Sequence, residues 1–216
     1  MSHSTDRADP PTEEAEAHEL AEAWSSVEPA MARRLLVAAV QAFAERGYHG
    51  TSTRDIAARV GLSPGGLYVH FPSKEDLLYR ISLLGTQLSL KSVRDAAASQ
   101  DDPIARLRAV VEVLAARGAR YHTTGRVVEY ELGSLDEAHY SEIAELRREI
   151  GASVREILED GVRAGVFDVQ DVPATSVALL SLTVDVARWY RSGGRRTPEE
   201  VAALYADLAE RMVRRA

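Results

Sequence analysis

The sequence predicts an all-α chain of about nine helices: an N-terminal three-helix unit containing a helix-turn-helix, followed by a larger helical domain. Three observations carry this prediction. Apolar residues recur at the helical period of about 3.6 throughout. Neither a long alternating Val, Ile and Thr run nor an Asn-Gly hairpin turn is present. Ser, Thr or Asp repeatedly stands just before Pro or an acidic residue, the chemistry of helix starts. At 216 residues, 45% of them hydrophobic, the chain is long enough to bury a core.

The elements follow in order. Residues 1–28 carry eight acids against Arg7 alone and are rich in Pro, Glu, Asp and Ser, so they read as a solvated, disordered acidic arm. Leu36, Ala39, Val40 and Phe43 form one stripe of a helix beginning near residue 30, and Gly47 ends it. Ser52 with Asp55 makes a capping box for a two-turn helix that Gly61 closes. Ser63 and Pro64 start another, stopped by Pro72, and Ser73 caps a longer one. Asp102-Pro103 and Thr197-Pro198 mark two later starts, with helices between them near 103–121, 125–134, 137–164 and 172–191; Gly165 closes the third. The domains are thus placed at 29–75 and 76–216.

Residues 52–70 give two short helices about a tight turn at Gly61 and Leu62, buttressed by the preceding amphipathic helix. Held rigidly, the second helix can enter a major groove about 12 Å wide and read base edges. The run AVQAFAERGYHGTSTRDIAARVGLSPGGLYVHFPSKEDLL resembles the DNA-binding domain of the TetR family of bacterial transcriptional regulators, above all in Tyr-x-His-Phe followed by x-x-Lys-Glu-x-Leu. The resemblance covers about forty residues and implies double-stranded DNA with a pseudo-palindromic operator as partner. The DNA-binding set is Thr51, Ser52, Thr53, Arg54, Ser63, Pro64, Gly65, Gly66, Tyr68, His70 and Lys74. Thr51 and Ser52 offer hydroxyls at a helix start, and Arg54 matches the position that reaches into the groove, where a bidentate bond to guanine is available. Tyr68, His70 and Lys74 match positions that grip the backbone without specifying sequence. Plain readings stand beside these: Tyr68 and Phe71 as core aromatics, His70 as a structural histidine, Arg54 and Lys74 as solvated charges.

The resemblance further implies a C-terminal domain that binds a small effector and forms a homodimer through its last two helices. Leu179, Leu182, Val186, Tyr190, Leu204, Leu208 and Met212 are the candidate interface, with an intrachain core as the alternative. RVVEYELGSL, Arg147 with Arg148, and VARWYRSGGRRTPEEVAALYADL are similar to TetR-like regulators that sense acyl-CoA thioesters and control fatty-acid or sterol catabolism. An apolar slot with cations at its mouth would serve such a ligand, and Tyr121, Arg126, Tyr130, Leu132, Arg147 and Trp189 are candidates to build it. Surface ion pairs, Arg126 with Glu129 and Glu131 with Arg147, are the plainer reading.

Other classes lack support. The chain has no Cys, which removes disulfides, thiolate nucleophiles and Cys-based metal sites. No G-x-S-x-G, H-E-x-x-H, Walker or dinucleotide motif occurs, so no catalytic residues, cofactor or metal are assigned. His122 and His139 with Glu142 read as surface groups on separate helices rather than as metal ligands. No apolar run approaches the roughly 18 residues of a membrane span, and residues 1–28 hold no signal-like core, so a soluble cytoplasmic protein without a membrane partner is predicted. The formal net charge of -7 hides a +3 segment at residues 29–80. The reading is a ligand-released repressor of lipid or acyl-CoA metabolism genes. The alternatives are a regulator of drug efflux or another small-molecule response, and a helical ligand-binding module without DNA binding.

Overall fold

The computed structural model describes residues 13–214 and contains ten α-helices and one 3₁₀ turn. They are α1 (Glu13–Ala23), α2 (Ala30–Gly50), α3 (Thr53–Arg59), α4 (Pro64–Tyr68), α5 (Lys74–Ala98), α6 (Pro103–Arg120), α7 (His122–Glu131), α8 (Glu137–Arg163), α9 (Val172–Trp189) and α10 (Pro198–Val213); the 3₁₀ turn is Leu132–Ser134. The only strand-like feature among the described residues is an isolated bridge between Phe167 and Arg214. The capping chemistry accounts for the starts: Ser52 and Thr197 form capping boxes with Asp55 and Glu200, and Ser63, Ser73, Asp102, Asp136 and Asp171 each accept from a backbone N–H of the first turn. Gly47, with φ of 71°, breaks the helical path within α2, and Gly61, at 78°, makes the turn between α3 and α4 that other residues adopt only with strain.

One prediction is overturned. Residues 13–28 are not a solvated arm, because α1 docks: Leu20 and Trp24 are 4% and 1% exposed and belong to the same core as α2. Glu16, Leu20 and Trp24 stand four residues apart and so share one helix face. The rest of the predicted arm, residues 1–12, lies outside the described residues. This helix is the one that the sequence count of nine omits.

Two main cores result. The first joins α1, α2, Ile56 and Ala57 of α3, Leu67 of α4, and the start of α5, and it takes in Val127 and Val128 of α7. The second lies among α5, α6, α8, α9 and α10, with α6 packed against the other four. The predicted boundary between residues 75 and 76 falls inside the continuous α5, whose Leu77, Leu78 and Ile81 belong to the first core. Close approach shapes the second core: the Phe167 ring fills the space where a side chain on Gly161 would stand.

Candidate nucleic-acid interface and ligand cavity

The reading head is rigid because its backbone ends are tied. Lys74 Nζ donates to the carbonyls of Tyr48, at 2.7 Å, and Thr51, at 2.8 Å, and lies 4.2 Å from the centre of the Tyr48 ring. Thr51, only 2% exposed, donates its hydroxyl to the Ala42 and Gly47 carbonyls. These two residues lock the end of α2 to the start of α5, and both depart from the predicted phosphate contacts: buried partners hold their polar atoms. The Ser52 and Ser63 hydroxyls are likewise engaged in their caps, although both residues are exposed.

The outward face keeps the remaining candidates. Arg54, Pro64 and Gly65 are exposed, Gly66 and His70 half-buried, and Tyr68 is 52% exposed with its hydroxyl 3.1 Å from that of Thr53. Arg54 makes no hydrogen bond or close ion pair with a described residue, whereas its neighbours Arg46 and Arg59 are paired with Asp55 and Glu45. Phe71 is core. Val69, which stands where the TetR family often has a bulkier polar or aromatic residue and is not in the predicted DNA-binding set, is at 80% exposure the barest large apolar side chain of the described residues. A β-branched residue at the end of a five-residue helix carries no sequence signal of its exposure; its apolar surface suits a thymine methyl.

A cavity of about 300 Å³ opens among α5, α6, α7, α8 and α9. Tyr121 and Arg147 of the predicted set line it; Arg126, Tyr130, Leu132 and Trp189 do not. Arg126 turns toward Thr123 and the groove beside α1, and Tyr130 is 64% exposed. The Trp189 indole N–H donates to the Tyr205 hydroxyl at 3.2 Å, which seats the ring between α9 and α10 instead. Arg147 pairs with Glu129 at 2.6 Å, not with Glu131. Sequence reasoning missed Arg117, whose guanidinium lies 5.3 Å from the Tyr121 ring centre and bonds no carboxylate of a described residue. The clue was available: Arg117 stands three residues after Leu114 and four before Tyr121, on a face that is otherwise apolar.

Helix α7 connects cavity and head. Its Thr124, Gly125 and Val128 line the cavity, while Glu131 at its end accepts from the Tyr48 backbone N–H at 3.0 Å. At its start the buried Glu16 of α1 accepts from the N–H groups of Thr123 and Thr124 at 2.9 and 3.3 Å. Burial pushes the Glu16 carboxyl up. Beside it, burial and the nearby Arg126 pull His122 down to about 4, so its ring is neutral and core rather than a surface group. His139 takes a different part: Glu75 at 2.9 Å and Asp136 at 3.4 Å hold it, and Tyr79 stacks on its ring, which ties α8 to α5.

Three of the predicted interface residues are buried within the chain: Leu179 packs in the second core, and Val186 and Tyr190 in a smaller cluster with Ala115, Ala119 and Val201 of α6 and α10. Leu182, Leu208 and Met212 are exposed, and Leu204 is partly so. Val177 and Val184 of α9 are exposed as well, Val184 at the cavity. No helix of the described residues is long and apolar enough to cross a membrane.

Comparison with known proteins adds to this geometry. Residues 35–81 match the family model for bacterial regulatory proteins of the tetR family, and residues 100–213 match that for the tetracyclin repressor-like C-terminal domain. The chain is 32% identical over 176 residues to the HTH-type transcriptional repressor KstR2 of Rhodococcus jostii, covering 81% of this chain and 86% of that protein. Among solved structures it resembles the ketosteroid transcriptional regulator KstR2 of Mycobacterium tuberculosis, with a TM-score of 0.81 at 26% identity, over 88% of this chain and 97% of the other. It also resembles AibR in complex with isovaleryl coenzyme A and operator DNA, with a TM-score of 0.72 at 25% identity, over 82% and 96%.

Proposed function

The chain belongs to the TetR family of bacterial transcriptional regulators and is a DNA-binding repressor of that family, and from this premise we propose that it controls genes of lipid or acyl-CoA catabolism and releases DNA when an acyl-CoA or related acid fills the cavity. The observation that carries the reading is α7, which lines the cavity with one face and holds the Tyr48 N–H with its last residue. A ligand that moves α7 therefore moves the end of α2, to which Lys74 and Thr51 are tied. The AibR complex with isovaleryl coenzyme A supports the choice of ligand class, and the ketosteroid regulator KstR2 the choice of a lipid pathway.

Arg54, His70 and Tyr68 with Thr53 face the duplex in this reading: Arg54 reads a base, Tyr68 and His70 position the backbone, and Val69 adds an apolar contact. Two reading heads one helical turn apart require a two-fold dimer. The exposed apolar face of α9 and α10, with Leu182, Leu204, Leu208 and Met212, is its interface. Acting on chromosomal DNA, the protein works in the cytoplasm. It acts by binding and not by turnover. The test is operator binding followed by effector challenge: loss of binding on adding one acyl-CoA supports the reading, and a complex indifferent to every thioester and acid tried contradicts it.

A further inference from the structure

Arg117 is an unusual occupant of its cavity. A guanidinium stays charged in proteins, so burial cannot be relieved by losing the proton, and the charge needs an anion or water. The Nε of Arg117 is buried without a hydrogen-bond partner, and no carboxylate of a described residue pairs with it. Burial pulls its pKa down, and the neighbouring Arg120 adds repulsion. Leu114, Val128, Ile150, Leu180 and the uncharged Thr86 and Thr183 line the same cavity, and its one lining carboxylate among the described residues, Glu129, is taken by Arg147. This other cavity cation has a third of its side chain exposed. Both residues are half-buried, so the difference lies in pairing: Arg147 is the paired cation of the cavity and Arg117 the one that no described carboxylate neutralises.

We propose that the effector carries a carboxylate on an apolar body, and that this carboxylate seats on Arg117 inside the cavity. The inference rests on reading the cavity as the effector site. It narrows that reading, since an acyl-CoA whose acyl chain ends in a methyl group offers Arg117 nothing, whereas a free acid or the mono-thioester of a dicarboxylic acid does. Bidentate pairing with the guanidinium supplies both orientation and specificity.

The full-length protein tests this with matched acids and amides, decanoate against decanamide and a bile-type steroid acid against its amide, by calorimetry. At least one acid should bind ten-fold or more tightly than its amide, and Arg117→Gln should bring that ratio close to one, while Arg117→Lys keeps part of it. Absence of acid preference in every pair, or a preference that survives Arg117→Gln, overturns the proposal. Decanoyl-CoA against the decanedioic mono-CoA thioester separates the two sources: a ten-fold preference for the latter places the carboxylate at the tail of a thioester, and a preference for decanoate over both CoA compounds places it on a free acid. A readout without ligand stands beside these. Arg117→Met should raise the thermal midpoint, because it removes a half-buried charge that no described carboxylate pairs and whose Nε is buried without a partner; a fall would assign Arg117 a structural role and overturn the proposal. Operator binding is followed in parallel: acid preference without any operator binding would sink the repressor reading and leave this one standing.

Discussion

At the scale of single residues, the reading head separates side chains that face outward from those that hold the frame. Arg54 is exposed and bonds no described residue, so Arg54→Ala should cost about 1–3 kcal/mol of operator binding and relax the preference at one base pair. Tyr68→Ala should weaken binding about equally on all sequences; competition with random duplex distinguishes the two. Lys74 is the instructive contrast. Motif and charge place it on a phosphate, yet its ammonium is spent on the Tyr48 and Thr51 carbonyls. Lys74→Met should therefore lower the thermal midpoint while leaving the salt dependence of DNA binding unchanged, whereas loss of a phosphate contact would reduce the salt slope by about one. Thr51 and Lys74 were not legible as frame residues because the partners are carbonyls brought close only by the turn at Gly47. Arg54 and Tyr68 were legible as outward because motif and amphipathic pattern agree.

At the scale of elements, the helix starts after Ser52, Ser63, Asp102 and Thr197 were legible, since capping chemistry is local. Helix α1 was missed because its contacts are not local: a Glu-rich segment of low apolar content docks through Leu20, Trp24 and the buried Glu16. All of its residues but His18 are strong helix formers, a signal that composition obscured. Trp24→Ala should cost about 3–5 kcal/mol of stability, as for other buried Trp truncations, and a change below 1 kcal/mol in denaturant unfolding would mean that α1 does not dock. In the proposed coupling, α7 is the link between cavity and head. Glu131→Ala leaves the Tyr48 N–H without its partner, so operator binding should persist while effector-driven release shrinks toward none, from the roughly 5–150-fold of typical allosteric coupling. The α5–α8 contact adds a pH dependence. The hydrogen bond that His139 donates to the Glu75 carboxylate raises its pKa above the usual 6.5, so the folded protein holds this proton more tightly than the unfolded chain. Its stabilisation is complete below pH 6.5 and is lost as pH rises through the raised value. His139→Gln should flatten thermal stability across that window, and an unchanged slope would remove the assignment.

At the scale of the whole molecule, the all-helical architecture and the reading head were legible because periodicity and a specific motif both record them. The cavity and the apolar face of α9 and α10 were legible only in part. Helical spacing shows that a residue is on an apolar face but not whether its own chain or a second copy covers it, so the pattern alone does not separate the buried Leu179, Val186 and Tyr190 from Leu182, Leu204, Leu208 and Met212. Trp189 was assigned to the cavity by the same ambiguity, although its ring belongs to the seam with Tyr205. If the exposed face pairs two copies, Leu208→Glu with Met212→Glu should yield monomers by light scattering and abolish operator binding, because one reading head reaches only one half-site. The central claim, a repressor whose DNA affinity is set by what fills the α7-lined cavity, is tested most directly by selecting bound fragments from sheared DNA of the source organism and challenging the best of them with acyl-CoAs and free acids. The account predicts a two-fold symmetric site that one acidic acyl compound releases. Failure to enrich any duplex over random DNA at physiological salt would contradict it.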